Sequence, residues 1–146
     1  MTHQSPAEFM AFSQEIAPIA SAASTATNGA GVDMQGWRGV LGILTLGATD
    51  GTVDMKAQRD DNSSFSSAAD ITGASITQVA GTGDNKLYML DVYAPSERYV
   101  RFVVTTGAGA TADQLSVVAV RYRGTGRFPI TQHSTVGELI KVRDDD

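Results

Sequence analysis

The stretch VDMKAQ, residues 53–58, alternates strictly between apolar and polar side chains. Val53, Met55 and Ala57 fall on one side of an extended chain, and the three polar residues fall on the other. This pattern predicts a strand with one buried face and one solvated face. Turn-forming residues flank it, at 49–52 before the strand and at 60–64 after it.

Further strands are predicted on both sides of this one. About seven strands with regular turn signals, and no alternation of strands with helices, predict an all-β antiparallel sandwich, either jelly-roll or immunoglobulin-like. Asn28-Gly29 is predicted as a turn, and residues 65–73 as a loop or helical turn. The strand at 114–122 is apolar on both faces, so it is central or its outer face meets another subunit. The predicted strands are 16–27, 37–46, 53–58, 75–80, 86–93, 98–106 and 114–122.

The two ends of the chain differ from the middle, which divides the sequence into an N-terminal arm (1–13), a sandwich domain (14–123) and a C-terminal tail (124–146). Ser5-Pro6-Ala7-Glu8 has the spacing of a capping box and predicts a short helix, with an irregular arm as the alternative. The tail either completes the same sandwich or reaches a neighbouring subunit. Its alternating Ile140 and Val142 suit addition to a sheet edge.

Composition removes several classes of function. The net charge of -5 argues against direct binding of nucleic acid. The absence of cysteine excludes disulfides, thiolate metal sites and thiol nucleophiles. The two histidines, His3 and His133, lie near opposite ends of the sequence, and no Gly-x-Ser-x-Gly motif is present. We therefore expect no enzyme activity and no cofactor.

The sequence shows neither a basic and apolar leader nor an apolar run as long as a membrane span. We therefore expect synthesis in the cytoplasm and no membrane partner. Positive charge is concentrated near the end of the predicted sheet, where Asp113 is the sole acid within residues 98–127. Because arginine pairs with carboxylates in a planar fork, we expect these side chains to meet acids on a neighbouring subunit. They are Arg98, Arg101, Arg121, Arg123 and Arg127.

Several motifs, taken in order, resemble a family of small β proteins of tailed bacteriophages. They are GVDMQGW (31–37), TDGT (49–52), KAQRDDNSSF (56–65), ERYVRFVV (97–104) and VVAV (117–120). The resemblance covers about residues 14–123. It implies a virion structural protein whose role is capsid decoration, and it implies no catalytic residue.

The expected function is therefore non-enzymatic decoration of the mature head shell, which the chain binds and stabilises at the capsid surface. The expected partners are the major capsid protein and further copies of this chain, with a trimer favoured. The alternatives are a head–tail connector or tail component, and a carbohydrate-binding module that uses Trp37. The candidate contact residues are Phe9, Met10, Phe12, Trp37, Arg98, Arg101, Arg121, Arg123, Arg127, Phe128, Ile140 and Val142.

Overall fold

A computed structural model describes residues 5–126 and 128–140, which form two antiparallel sheets packed face to face. The prediction of an all-β sandwich is confirmed. The elements are α1 (Pro6–Phe9), β1 (Ala11–Ser21), β2 (Ala26–Asn28), β3 (Val32–Asp33), β4 (Gly39–Leu46), β5 (Val53–Asp60), β6 (Ala69–Ser75), β7 (Leu87–Tyr93), β8 (Tyr99–Thr106) and β9 (Asp113–Tyr122).

Sheet A has the strand order β1-β9-β4-β7, and sheet B has the order β2-β8-β5-β6, with β3 also paired to β8. All these pairs are antiparallel. β9 lies between β1 and β4, so the apolar residues on both its faces belong to a central strand. The edge strands of sheet A are β1 and β7.

The core lies between the sheets and is built from the inward residues of the alternating strands. Val53, Met55 and Ala57 of β5 are at most 1% exposed, as their spacing predicts. The fully buried ring of Phe102 on β8 packs over Gly42 on β4, where a Cβ atom would lie 2.5 Å from the ring. Gly42 therefore allows the two sheets to approach closely.

The predicted first strand, residues 16–27, is wrong in its extent. β1 ends at Ser21, and the chain crosses to sheet B before β2 begins at Ala26. The crossing turns at Ser24, which has a φ of 49° and donates its N–H to the carbonyl of Gly107 (3.0 Å). Small residues suit both an extended strand and this crossing, so their pattern does not mark where β1 ends.

Asn28-Gly29 is not a hairpin turn, so that prediction is wrong. Asn28 pairs with Val103 in the sheet, and Gly29 donates its N–H to the carbonyl of Phe102 (2.7 Å). A Cβ atom at Gly29 would lie 2.6 Å from the Glu15 carboxyl group. Glycine is needed here because the backbone passes close to that side chain.

The predictions for residues 69–80 are also wrong, whereas residues 65–68 form turns as predicted. Instead of a loop or helical turn, residues 69–75 form β6 at the edge of sheet B. Every residue of β6 is exposed or half-buried, so the strand lacks the apolar alternation that marks half-buried strands. The strand predicted at 75–80 is reduced to one isolated bridge between Val79 and Val53.

The capping motif does form a helix, of a single turn. The Ser5 N–H donates to Glu8 Oε2 (3.1 Å), and the helix ends at Phe9. β1 begins at Ala11, so residues 11–13 of the predicted arm pair with β9. The end of α1 is thereby fixed to the edge of sheet A.

Candidate docking surface

The outer face of sheet A, which points away from sheet B, carries an uncovered apolar strip. In the strand register, Ile43 of β4 lies opposite Met89 of β7 and Val118 of β9, and directly opposed residues share a face. At the β7 edge, Leu87, Met89 and Tyr93 are 61%, 62% and 53% exposed. Asp91 lies between Met89 and Tyr93 on this face. Exposed apolar side chains on an edge strand are typical of a protein–protein contact.

Two arginines stand at one end of this strip. Arg38 Nε and Arg123 Nη1 both donate to the Tyr93 hydroxyl, at 3.3 and 3.4 Å, and both arginines are exposed. The hydrogen bond from Arg38 is the main cause that holds the pKa of Tyr93 below its ordinary value. Among residues 5–126 and 128–140, neither guanidinium forms an ion pair with a carboxylate. The strip therefore ends in two positive charges available to a partner.

Tyr122 fixes the geometry of this end. Its ring lies over Gly39, where any side chain would overlap it, and its hydroxyl donates to Asp91 Oδ1 at 2.6 Å. Burial, followed by the bond to Asp91, raises the pKa of Tyr122 to about 12. The tyrosine thus stays protonated and bridges β9 to β7 across β4.

An apolar cleft of about 520 Å³ opens beside these residues. It brings together three of the predicted contact residues, Phe9, Met10 and Phe128, with Tyr93 and Arg123. α1 delivers the first two, and the start of the tail delivers Phe128.

A second apolar groove, of about 550 Å³, lies on the other side of α1. Phe12 and Ile140, both predicted contact residues, line this groove with Val136 and Leu139. Ile140 is 70% exposed and does not belong to a strand. The predicted contact residues of the arm and tail therefore divide between two sites.

The described part of the tail packs against its own chain. Gln132 Oε1 accepts the N–H of Phe12 (2.8 Å), and Gln132 Nε2 donates to two carbonyls at the end of α1 (3.0 and 2.7 Å). Thr135 Oγ1 accepts the N–H of Gln14 (3.0 Å). These side chains satisfy N–H groups along the free edge of β1, a position that an added strand would otherwise occupy.

Two of the predicted interface arginines have partners within the chain. Arg98 forms a two-pronged ion pair with Asp33, with distances of 3.0 and 2.8 Å. Arg101 Nε donates to Gln58 (2.9 Å), and its guanidinium lies over the Phe65 ring. Both side chains join neighbouring parts of sheet B.

Arg121 and Trp37 lie together at one end of the sandwich. The guanidinium of Arg121 is 5.3 Å from the centre of the Trp37 ring, and its Nη1 donates to the carbonyl of Asp33 (2.9 Å). Trp37 is half-buried and packs against the core, which is a poor position for a sugar-stacking platform. Two other predicted contact residues, Arg127 and Val142, lie outside the described residues.

No group of three or more acidic or histidine side chains in the described ranges is placed to hold a metal ion. His133 stands in the tail, where its Nδ1 contacts Thr135 Oγ1 at 2.9 Å. No helix in that part of the chain is long and apolar enough to cross a membrane.

Comparison with protein-family models gives no match, and comparison with curated proteins gives none either. Among solved structures, the PBSX exported protein XepA is similar with a TM-score of 0.59 and 18% identity over 99% of this chain. A protein of the disulfide-linked pili of Bacillus endospore appendages gives a TM-score of 0.51 and 13% identity. That alignment covers 86% of this chain and 98% of the appendage protein. These likenesses show a shared fold.

The SPBc2 prophage-derived protein YomS gives a TM-score of 0.47 and 9% identity over 84% of this chain and 99% of its own. The alignment with XepA covers 47% of the XepA chain. This chain therefore spans about half of XepA.

Proposed function

We propose that this chain is a structural protein of a tailed-bacteriophage virion, and that it decorates and stabilises the mature head shell. The observation that carries the proposal is the apolar strip on sheet A, where Leu87 and Met89 are exposed. At its end, Arg38 and Arg123 have no carboxylate partner among residues 5–126 and 128–140. A shell subunit would cover the strip and offer carboxylates to the arginines. The motif resemblance over residues 14–123 supports the same role.

The strip suits a protein that acts in many copies on a repeating surface. Exposed ion pairs contribute little each, so apolar burial at β7 has to supply most of the contact free energy. A ligand that binds only the mature lattice stabilises that lattice. Contacts between neighbouring copies add avidity to weak individual sites, which fits the expected homo-oligomer.

One protein with a similar fold has an assembly role, because the endospore appendage protein is part of a pilus. That pilus is linked by disulfides, whereas this chain contains no cysteine. In the proposed role, the apolar strip supplies a noncovalent contact where the pilus uses disulfides.

Binding to purified expanded capsids tests the proposal. Wild-type protein should bind the shells and raise the temperature at which they disrupt. Met89→Asp should abolish both effects because it places a charge in the strip. Thr72→Asp, a matched change on exposed β6 of the opposite sheet, should alter neither. Saturated shells that disrupt at an unchanged temperature would remove the stabilising role.

Densitometry of a purified particle separates decoration from the connector or tail alternative. A decoration protein is present in many copies spread over the shell, whereas a connector forms a single closed ring. A copy number equal to one ring would exclude decoration.

A further inference from the structure

A cavity of about 250 Å³ lies between the sheets, at the end of the sandwich that holds Arg121. Its walls come from β1, β9, the connection into β3, and the ring of Phe65. The register of β1 against β9 shifts between Gln14 and Ile16, so Glu15 occupies a β-bulge. Bulges re-aim side chains, and this one places a carboxyl group inside the sandwich, where Glu15 is 5% exposed.

Two buried donors on this wall have no partner within the described ranges. They are the hydroxyl of Ser13, which is 5% exposed, and Arg121 Nε. The other end of the Arg121 group is occupied, because Nη1 donates to the carbonyl of Asp33. Buried polar groups are nearly always hydrogen-bonded, so this pair of donors indicates that an acceptor belongs in the cavity.

The carboxylate of Asp33 and one oxygen of Glu15 are already engaged by other donors. Both oxygens of the Asp33 carboxylate receive the Arg98 fork, and one also accepts the N–H of Gln35 (2.9 Å). Glu15 Oε2 accepts the N–H of Gly31 (2.9 Å). The charge of Asp33 is thus matched by Arg98, which leaves Arg121 as the cation without a matching anion when Glu15 is neutral.

Four other ionisable side chains line the cavity with Glu15. They are Arg121 from β9, Asp33 from β3, Tyr99 from β8 and His133 from the tail. Burial raises the pKa of Glu15 to about 7, although the Gly31 N–H bond and Arg121 oppose this. Below that pH the carboxyl group is neutral and adds a third donor; above it, its charge repels an anion.

We propose that this cavity binds a small monocarboxylate, with Arg121 Nε and the Ser13 hydroxyl donating to the carboxylate and Phe65 contacting the apolar group. A single negative charge matches the single guanidinium among the described residues that line the cavity. Arginine also favours the planar geometry of a carboxylate. The site is separate from the docking surface, because Arg121 and Val118 point to opposite faces of sheet A.

Titration of ¹⁵N-labelled full-length protein with sodium benzoate tests the proposal, with sodium chloride keeping the ionic strength constant. Benzoate at pH 6 should shift the resonances of the Gly31 amide and Arg121 Nε. The neutral fraction of Glu15 falls about tenfold between pH 6 and pH 8, so the affinity should fall about tenfold. Benzamide, which has the same ring without the charge, should not bind.

Variants assign the roles of the side chains. Glu15→Gln keeps a neutral group, so the affinities at pH 6 and pH 8 should differ less than twofold. Arg121→Met should lose binding at both pH values, and the matched Arg123→Met at an exposed arginine should keep it. If Arg121→Met fails to fold, the benzoate–benzamide comparison in the wild type still decides.

Three outcomes would overturn the assignment. Equal shifts with benzamide would show that the charge is not recognised, and equal shifts with chloride alone would show that any small anion suffices. A tenfold pH effect that persists in Glu15→Gln would show that Glu15 does not control binding.

Discussion

Replacing Glu15 by glutamine should remove a pH dependence from the stability of the fold. Burial raises the pKa of this carboxyl group from 4.5 to about 7, so the native state holds a proton that the unfolded chain loses over that range. The contribution of Glu15 to the free energy of unfolding should therefore be fully present below about pH 4.5 and be lost as the pH rises through 7. The interval of about 2.5 pH units, at about 1.4 kcal/mol each, amounts to about 3 kcal/mol.

Urea unfolding followed by Trp37 fluorescence, at intervals from pH 5 to pH 8, measures this profile. Glu15→Gln mimics the neutral carboxyl group and should give a nearly flat profile. Carboxyl groups with lowered pKa values, such as Asp33 and Asp60, act below about pH 4 and do not interfere. Glu138→Gln, at an exposed residue, is the control. Wild-type stability that rises from pH 5 to 7, or a Glu15→Gln profile identical to it, would refute the reasoning.

Three other substitutions test the fold. Gly42→Ala places a Cβ atom 2.5 Å from the buried Phe102 ring and should lower the free energy of unfolding by about 1–3 kcal/mol. The control Gly137→Ala, which has open space around it, should lower it far less. The midpoints of urea unfolding measure both effects. Gln132→Ala removes three hydrogen bonds to the N-terminal segment and should cost roughly 1–3 kcal/mol, with faster protease cleavage of the tail. Asp60→Asn should make the loss of stability on acidification shallower. Its carboxylate accepts two backbone N–H groups, which lower its pKa and give stability that is lost as the pH falls through that value.

Most of the strands can be predicted from the alternation of apolar and polar residues. A strand with one buried face places every second side chain in the core. β5 and β8 follow this rule and begin and end close to their predicted limits. β6 does not show this alternation, because neither of its faces is buried. A strand held mainly by backbone pairing at an edge leaves no apolar pattern to detect.

The candidate sites are harder to predict, because their side chains are distant in sequence and are brought together only by the pairing of strands. Arg98 and Arg101 are close in sequence, yet Arg98 pairs with Asp33 and Arg101 donates to Gln58. Arg121 lies on another strand, yet it also donates to Asp33, at the backbone carbonyl. Arg38 carries no sequence signal of its own and reaches Tyr93 because β4 pairs with β7. Glu15 points inward because of a β-bulge, which the sequence pattern of β1 does not predict.

The two proposals concern opposite faces of sheet A, so each can be tested without disturbing the other. Along β9, Val118 points outward to the docking face, while Arg121 points inward to the cavity, because alternate residues of a strand face opposite sides. A charge at Met89 should therefore abolish shell binding and leave benzoate binding unchanged. Glu15→Gln should have the opposite pattern, with altered pH dependence of benzoate binding and full shell binding. A variant of either kind that abolished both activities would show that the sandwich itself had been damaged.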